Sequence, residues 1–257
     1  MNLLIVNDDG IEAEGIRRLA EALAEDHDIY ISAPHTQRSA SGHGITIGRP
    51  VIIKEAAFPG ARKAYSLEGT PADCVKMGVE IYRQEGIVID KVFSGINHGG
   101  NMGTDTIYSG TVAAALEAAV CRLPSVALSI NSREPKQYET AQILARRAAA
   151  FDFSQIDSNL VLNINIPDLP KDEIKGIRTA KLGPREYHEW FERSTDEEGR
   201  TFYEYSGYPV RYEDMEADSC DVGAHQKGYV SVTPIHFDLT NHALIDKLKS
   251  SGFADTI

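Results

Sequence analysis

The chain has 257 residues, of which 42% are hydrophobic and 25% are charged, which is the composition of a globular protein with one large core or two modest ones. Its formal net charge of −12 argues against a surface that binds nucleic-acid polymers. The apolar runs are too short to span a bilayer, no signal peptide is recognisable, and the three cysteines form no CxxC pair. We therefore expect a cytoplasmic protein without membrane contact, disulfides or a thiolate zinc site.

Strands and helices alternate through the first two thirds of the chain, which predicts a parallel sheet covered by helices on both faces. Apolar runs predict strands at 3–6, 29–32, 51–53 and 64–67, and in the segments IVIDKVFSGI, SVALSI and LVLNINI. Helices are predicted over about 12–25 and 111–121, after the capping sequence Thr-Pro-Ala-Asp at 70–73, and in TAQILARRAAAF. The fold class is therefore α/β.

The residue pattern changes after Pro184. The segment REYHEWFERSTDEEGRTFYEYSGYPV has two alternating aromatic runs around a turn, which predicts a long β-hairpin carrying the single tryptophan, Trp190. Such a hairpin is marginally stable alone, so it either folds onto its own sheet or packs on a partner subunit as an arm. A strand at 229–235 and a helix at 242–253 follow. We divide the chain into an α/β core, 1–184, and a C-terminal part, 185–257, within a single functional domain.

Two adjacent carboxylates, Asp8 and Asp9, follow the first predicted strand, at the edge of a parallel sheet where ligands collect. One aspartate is explained as a helix cap, but two neighbouring negative charges favour a divalent cation, Mg²⁺ or Mn²⁺. Ser39 and Asn97 follow other strands at the same edge and offer neutral oxygen ligands. Taken singly, a loop serine or asparagine is a common turn former. Only the coincidence of Ser39 and Asn97 with the acidic pair indicates a metal site.

The loop from Asn97 to Thr111 is rich in glycine, and Ser109-Gly110-Thr111 leads directly into a helix. Glycine lets the backbone approach a ligand closely, and the free N–H groups of a helix N-terminus suit an anion. The loop therefore predicts a phosphate site in an acidic protein. The sequence is not a P-loop, because GxxxxGK[ST] is absent.

Four segments resemble the signature sequences of survival protein E, the SurE family of metal-dependent 5′/3′-nucleotidases: NDDG at 7–10, RSASGHGIT at 38–46, SLEGTPADCVKMG at 66–78 and SGINHGGNMGTDTIYSGTVAAALEA at 94–118. LVLNINIP and YVSVTPI also resemble family segments, so the likeness extends over nearly the whole chain. Ala118 stands where the family is expected to have glycine, and 186–220 match no motif.

The resemblance implies a Rossmann-like core that hydrolyses nucleoside 5′- and 3′-monophosphates, and in some members short polyphosphate. It implies one divalent cation per subunit, and a homodimer or tetramer that exchanges C-terminal elements, which favours the arm interpretation of the hairpin. The residues that match the family's sites are Asp8, Asp9, Ser39 and Asn97 for the metal, and Asn101, Ser109, Gly110 and Thr111 for the phosphate.

We expect a metal-activated water to attack phosphorus, with Asp8 or Asp9 as the proton acceptor and His43 or His98 as a candidate proton donor to the leaving group. Either histidine is equally well explained as an exposed loop residue. Two alternatives exist. An aspartyl-phosphate phosphatase needs Asp-x-Asp, which this spacing lacks. A non-enzymatic, magnesium-binding receiver module needs an acceptor aspartate near 50–55, where the chain has Ile-Ile-Lys-Glu at 52–55.

Overall fold

The computed structural model describes residues 1–157, 160–212 and 214–253. The strands of this described part are β1 (Asn2–Val6), β2 (Asp28–Pro34), β3 (Ile53–Glu55), β4 (Lys63–Leu67), β5 (Lys91–His98), β6 (Ser125–Ile130), β7 (Val161–Ile166), β8 (Ile177–Thr179), β9 (Tyr187–Thr195), β10 (Thr201–Pro209) and β11 (Val230–Ile235). The α-helices are α1 (Glu14–Leu23), α2 (Pro71–Gln84), α3 (Gly110–Val120), α4 (Glu139–Ala150), α5 (Asp221–Gln226) and α6 (His242–Ser250).

A nine-stranded sheet forms the centre of the fold, in the order β3-β4-β2-β1-β5-β6-β7-β11-β8. The strands from β4 to β7 are parallel to one another. At the edges, β3 is antiparallel to β4, and β11 is antiparallel to β7 but parallel to β8. The predicted α/β fold with a parallel core is therefore confirmed.

Helices cover both faces of the sheet because successive side chains of a strand point to opposite faces. Leu3 and Ile5 of β1 pack in the cluster that includes buried residues of α1 and α4. Leu4 and Val6 pack in the other cluster, with residues of α2 and α3. This arrangement buries β1 on both sides, which explains its unbroken apolar run.

Several boundaries differ from the predicted ones. The strand predicted at 51–53 is β3, which begins at Ile53 because only Ile53, Lys54 and Glu55 pair with β4. The helix predicted over 12–25 is the shorter α1. The sequence analysis did not identify β8 and α5, since three and six residues are too short to show a periodicity.

The C-terminal part divides its residues between the sheet and exposed elements. Strand β11 lies inside the main sheet, whereas β9 and β10 pair only with each other in the described chain. Helix α6 has no buried residue. The division at residue 184 stays a prediction, and strands from both sides of it belong to one sheet. Residues 254–257 lie outside the described residues. No described helix is long and apolar enough to cross a membrane.

Candidate active site

The strand order changes direction between β1 and β5. From β1 the chain moves to β2 on one side of the sheet, and β5 pairs on the other side. A crevice forms at the carboxyl ends of two such strands, and this is where open α/β sheets bind ligands. Asp8 and Asp9 follow β1 there, and Asn97 and His98 end β5.

A cavity of about 1020 Å³ opens at this point of the sheet. It is lined by three of the four predicted metal ligands, Asp8, Ser39 and Asn97, and by two of the four predicted phosphate-binding residues, Asn101 and Ser109. The structure thus brings residues from three separate segments of the chain to one place.

The carboxyl group of Asp8 is fixed by the start of α3. Asp8 is 4% exposed, and the Thr111 hydroxyl donates a hydrogen bond of 2.6 Å to its Oδ1 atom. A Cβ atom on Gly110 would lie 2.8 Å from the Asp8 Cβ atom, so only glycine lets α3 approach this closely. Gly110 and Thr111 therefore position Asp8. The Thr111 hydroxyl hydrogen is therefore engaged by that carboxylate, and the expected role of Thr111 in phosphate binding stays a prediction.

Both aspartates resist ionisation in the absence of a cation. Burial raises the pKa of Asp8 to about 6, the bond from Thr111 partly offsets the rise, and the neighbouring charge of Asp9 adds to it. Burial also raises the pKa of Asp9, against the effect of its contacts with His98 and Gln37. Its two hydrogen bonds, from the His98 backbone N–H and from Gln37 Nε2, are both 3.3 Å and therefore weak.

The donor set fits a hard divalent cation. The side-chain nitrogen of Asn97 donates to the Gly99 carbonyl at 2.8 Å, which leaves Asn97 Oδ1 as a possible ligand. Ser39 Oγ accepts from Gln37 Nε2 at 2.9 Å, the same nitrogen that reaches Asp9. Two carboxylates, an amide oxygen and a hydroxyl are ligands for Mg²⁺ or Mn²⁺. The set contains only two carboxylates, and the described part of the chain has no group of three or more His, Cys, Asp or Glu that could hold a metal ion.

Asn101 is held in the cavity wall by side chains of the neighbouring strands. Its backbone N–H donates to Asn165 Oδ1 at 2.7 Å, and its side-chain nitrogen donates to Ser129 Oγ at 2.8 Å. Its carbonyl accepts from the amides of Asn163 at 2.8 Å and Asn165 at 3.1 Å. These buried bonds fix the glycine-rich loop on the sheet.

The two candidate histidines have different surroundings. His98 lines the cavity, with its Nε2 atom 2.7 Å from the Tyr138 hydroxyl. His43 instead lies 2.9 Å from Glu117 Oε2, beside a second cavity of about 410 Å³. The predicted role of His43 as a proton donor is therefore not supported by its position, because its ring pairs with a carboxylate of α3 outside the main cavity.

Glu117 and Asp73 anchor the loop that carries Ser39. Burial alone would raise the pKa of Glu117, but the bonds from His43 and Lys76 outweigh it and lower that pKa. Asp73 accepts from the backbone and the hydroxyl of Thr46 at 2.9 and 2.6 Å while it completes the capping box of α2. Helices α2 and α3 therefore both hold the exposed loop that carries Ser39.

Other residues of the cavity were not identified from the sequence. They come from the loop before α3 and from the base of the β9–β10 hairpin: Asp105, Tyr108, Arg185, Glu186, Tyr187, Glu189 and Tyr205. The alternation of side chains along the hairpin strands predicts which residues share a face. No local sequence signal indicates which of the two faces contacts the core. Asn163 and Asn165 had a usable signal, because two amides in the apolar run LVLNINI need buried partners.

Comparisons with known proteins agree on one family and one fold for this chain. The profile of the family described as survival protein SurE matches residues 3–189. A "5'-nucleotidase SurE" of Heliobacterium modesticaldum is 41% identical over 99% of this chain and 95% of its own length. A "5'-nucleotidase SurE" of Fervidobacterium nodosum is 41% identical over 97% of this chain and 96% of its own length. The crystal structure of the SurE protein from Aquifex aeolicus, 35% identical, covers 98% of this chain and 99% of that one with a TM-score of 0.79.

Proposed function

This chain belongs to the survival protein SurE family, and on that premise we propose that it is a metal-dependent phosphomonoesterase acting on nucleoside 5′- and 3′-monophosphates. One observation carries the proposal: two adjacent carboxylates with raised pKa lie beside Asn97 at the switch point of the sheet, next to the N-terminus of α3. Carboxylates for a cation are thereby combined with the N-terminus of a helix, whose dipole favours a phosphate.

We propose that Asp8, Asp9, Ser39 and Asn97 hold one Mg²⁺ or Mn²⁺ per subunit. Such a cation, when bound, stabilises negative charge on phosphoryl oxygens and lowers the pKa of a water molecule. The acidic side chains and the neutral oxygens of the set satisfy its preference for oxygen ligands.

The chain's own groups have separate tasks in this proposal. An aspartate oxygen of Asp8 or Asp9 accepts the proton of the attacking water. Ser109 Oγ accepts from the Val112 N–H at 3.0 Å, which leaves its hydroxyl hydrogen free to donate to a phosphoryl oxygen. Asn101 lines the same cavity as a second polar contact. We assign to His98, which lines the same cavity, the protonation of the oxygen of the departing nucleoside.

The test is phosphate release from nucleoside 5′- and 3′-monophosphates and from short polyphosphate. The protein is stripped with EDTA and then supplied with Mg²⁺ or Mn²⁺ separately. We expect no release after stripping and restored release with either ion. Full activity of the stripped protein would contradict the metal assignment. No release with either ion, together with covalent phosphate after incubation with a small phosphodonor, would instead support a receiver module, although the residues near 50–55 form only the edge strand β3.

We further propose that the C-terminal arm joins subunits into a homodimer or tetramer. The arm consists of the β9–β10 hairpin and α6. Large apolar side chains are exposed on both elements, among them Trp190 at 45% and Leu248 at 55%. A two-stranded hairpin and a nine-residue helix are each marginal without packing partners. A second copy of the chain would cover these side chains.

Substitutions in the arm should therefore dissociate the assembly. We expect Leu248→Lys and Trp190→Glu to shift the mass measured by light scattering toward the monomer at micromolar concentration. Val88→Lys is the matched control, because Val88 is 70% exposed and lies outside the arm. A wild-type chain that is already monomeric, or arm variants with unchanged mass, would contradict the proposed interface.

A further inference from the structure

One face of the β9–β10 hairpin forms part of the active-site cavity. Because side chains alternate along a strand, Tyr187 and Glu189 of β9 share a face with Tyr205 of β10, which lies opposite Phe191. All three line the cavity that contains Asp8, and they are joined there by Arg185. We call these four residues the hairpin wall. The wall places aromatic rings in the same space as the proposed phosphate site.

The polar groups of the hairpin wall are paired, two of them with Asp105 of the loop before α3 and two with each other. Arg185 Nε lies 3.0 Å from Asp105 Oδ2, and the Tyr187 hydroxyl donates to the same oxygen at 2.7 Å. The Tyr205 hydroxyl donates to Glu189 Oε2 at 2.8 Å. Tyr205 nevertheless stays 59% exposed, and although its ring centroid lies 5.4 Å from that of Phe191, the rest of the ring surface is open to a ligand. Tyr108, 65% exposed, lines the same cavity.

The charges of this part of the cavity decide what it can bind. Three carboxylates, on Asp105, Glu186 and Glu189, line it together with the guanidinium of Arg185, which is already paired with Asp105. A second phosphate group would meet net negative charge here. An uncharged aromatic ring with N–H donors would meet exposed tyrosine faces and a carboxylate acceptor.

We propose that the hairpin wall is the nucleobase subsite, in which the base stacks on Tyr205 and donates a hydrogen bond to Glu189. This assignment rests on the proposed nucleotidase function and adds to it a source of selectivity. The bond from Tyr205 holds Oε2 of Glu189 and leaves Oε1 to accept from the base. The wall thereby favours nucleoside monophosphates over phosphate esters that lack a base, and it disfavours polyphosphate.

The test compares three substrates: adenosine 5′-monophosphate, ribose 5-phosphate and tripolyphosphate. For the wild type we expect kcat/KM to be at least tenfold higher for the nucleotide than for either of the others. Tyr205→Ala should raise KM for the nucleotide about tenfold, since stacking of a base on an aromatic ring is worth that much, and should leave kcat within about twofold. Its kinetics with ribose 5-phosphate should not change, and Tyr205→Phe should retain most of the affinity for the nucleotide.

Tyr208→Ala is the matched control. Tyr208 belongs to the same strand and is 57% exposed, but it lies on the opposite face of the hairpin and outside the cavity. Equal efficiency of the wild type on all three substrates, or the same change for both tyrosine variants, would overturn the subsite while the nucleotidase function stands. Adenosine binding measured by calorimetry decides the case in which no phosphate is released: loss of binding in Tyr205→Ala alone supports the subsite, and unchanged binding overturns it.

Discussion

Asp8→Asn and Asp9→Asn are each expected to lower turnover of nucleoside monophosphates by about 10³-fold or more, without unfolding the protein. Asparagine keeps the shape of the side chain but removes the charge that binds a cation and the oxygen that accepts a proton. The measurement is phosphate release at saturating Mn²⁺, with a thermal melt of each variant. Asp28→Asn is the control, because Asp28 lies at the amino end of β2, away from the cavity.

The same substitution at Asp8 should stabilise the metal-free protein. The pKa of Asp8 is raised to about 6 by burial, so the folded state favours its protonated form. That contribution to stability is present below the ordinary pKa of an aspartate and is lost as the pH rises through about 6. Asp8→Asn removes this loss of stability, because an asparagine side chain does not ionise. Its advantage in free energy of unfolding should be small near pH 4 and grow to a few kcal/mol above pH 6.

Two results would contradict this account of the aspartate pair. One is retained turnover in Asp9→Asn at saturating Mn²⁺, which would mean that Asp9 is not a ligand. The other is an Asp8→Asn variant that melts below the wild type at pH 8 in EDTA, which would mean that Asp8 stabilises the fold and does not strain it. We expect neither result, because a buried carboxylate pair that is kept for function lowers the stability of the metal-free protein.

The sequence predicted the parts of the site that depend on the ends of strands. An apolar run followed by polar residues marks a strand end, and parallel strands bring their carboxyl ends to one edge, so Asp8, Ser39 and Asn97 were identified together. The local pattern could not say which of two loop histidines faces the cavity, since the position of His43 depends on Glu117 in a helix 74 residues away.

The parts that sequence analysis missed depend on long-range packing. Tyr205 and Glu189 reach the cavity because the hairpin base lies against the loop before α3, where Thr104 donates to the Arg185 carbonyl at 2.7 Å. No periodicity in either segment encodes that contact. The Thr111 hydroxyl likewise has two plausible partners in sequence, a phosphate or an aspartate, and only the close approach of α3 to β1 selects Asp8.

A further prediction concerns the asparagines of β7, because Asn163 and Asn165 have the same size but make different hydrogen bonds to Asn101. Asn165 accepts from the Asn101 N–H and donates to the Asn101 carbonyl, whereas Asn163 only donates to that carbonyl. Among the described residues, Asn163 Oδ1 has no hydrogen-bond partner. Asn165→Ala should therefore leave a buried N–H without an acceptor, and Asn163→Ala should not.

We expect Asn165→Ala to lower the free energy of unfolding by about 3 kcal/mol and Asn163→Ala by about 1 kcal/mol, measured by urea denaturation. Both variants lose the same side-chain volume, so the difference isolates the bond to the Asn101 N–H. Because that bond fixes the glycine-rich loop, kcat for nucleoside monophosphates should fall about tenfold in Asn165→Ala and remain within about threefold in Asn163→Ala. Equal effects of the two substitutions would show that β7 contributes packing alone. A larger effect at Asn165 on kcat as well as on stability would show that this strand positions the phosphate-binding loop through a single backbone contact.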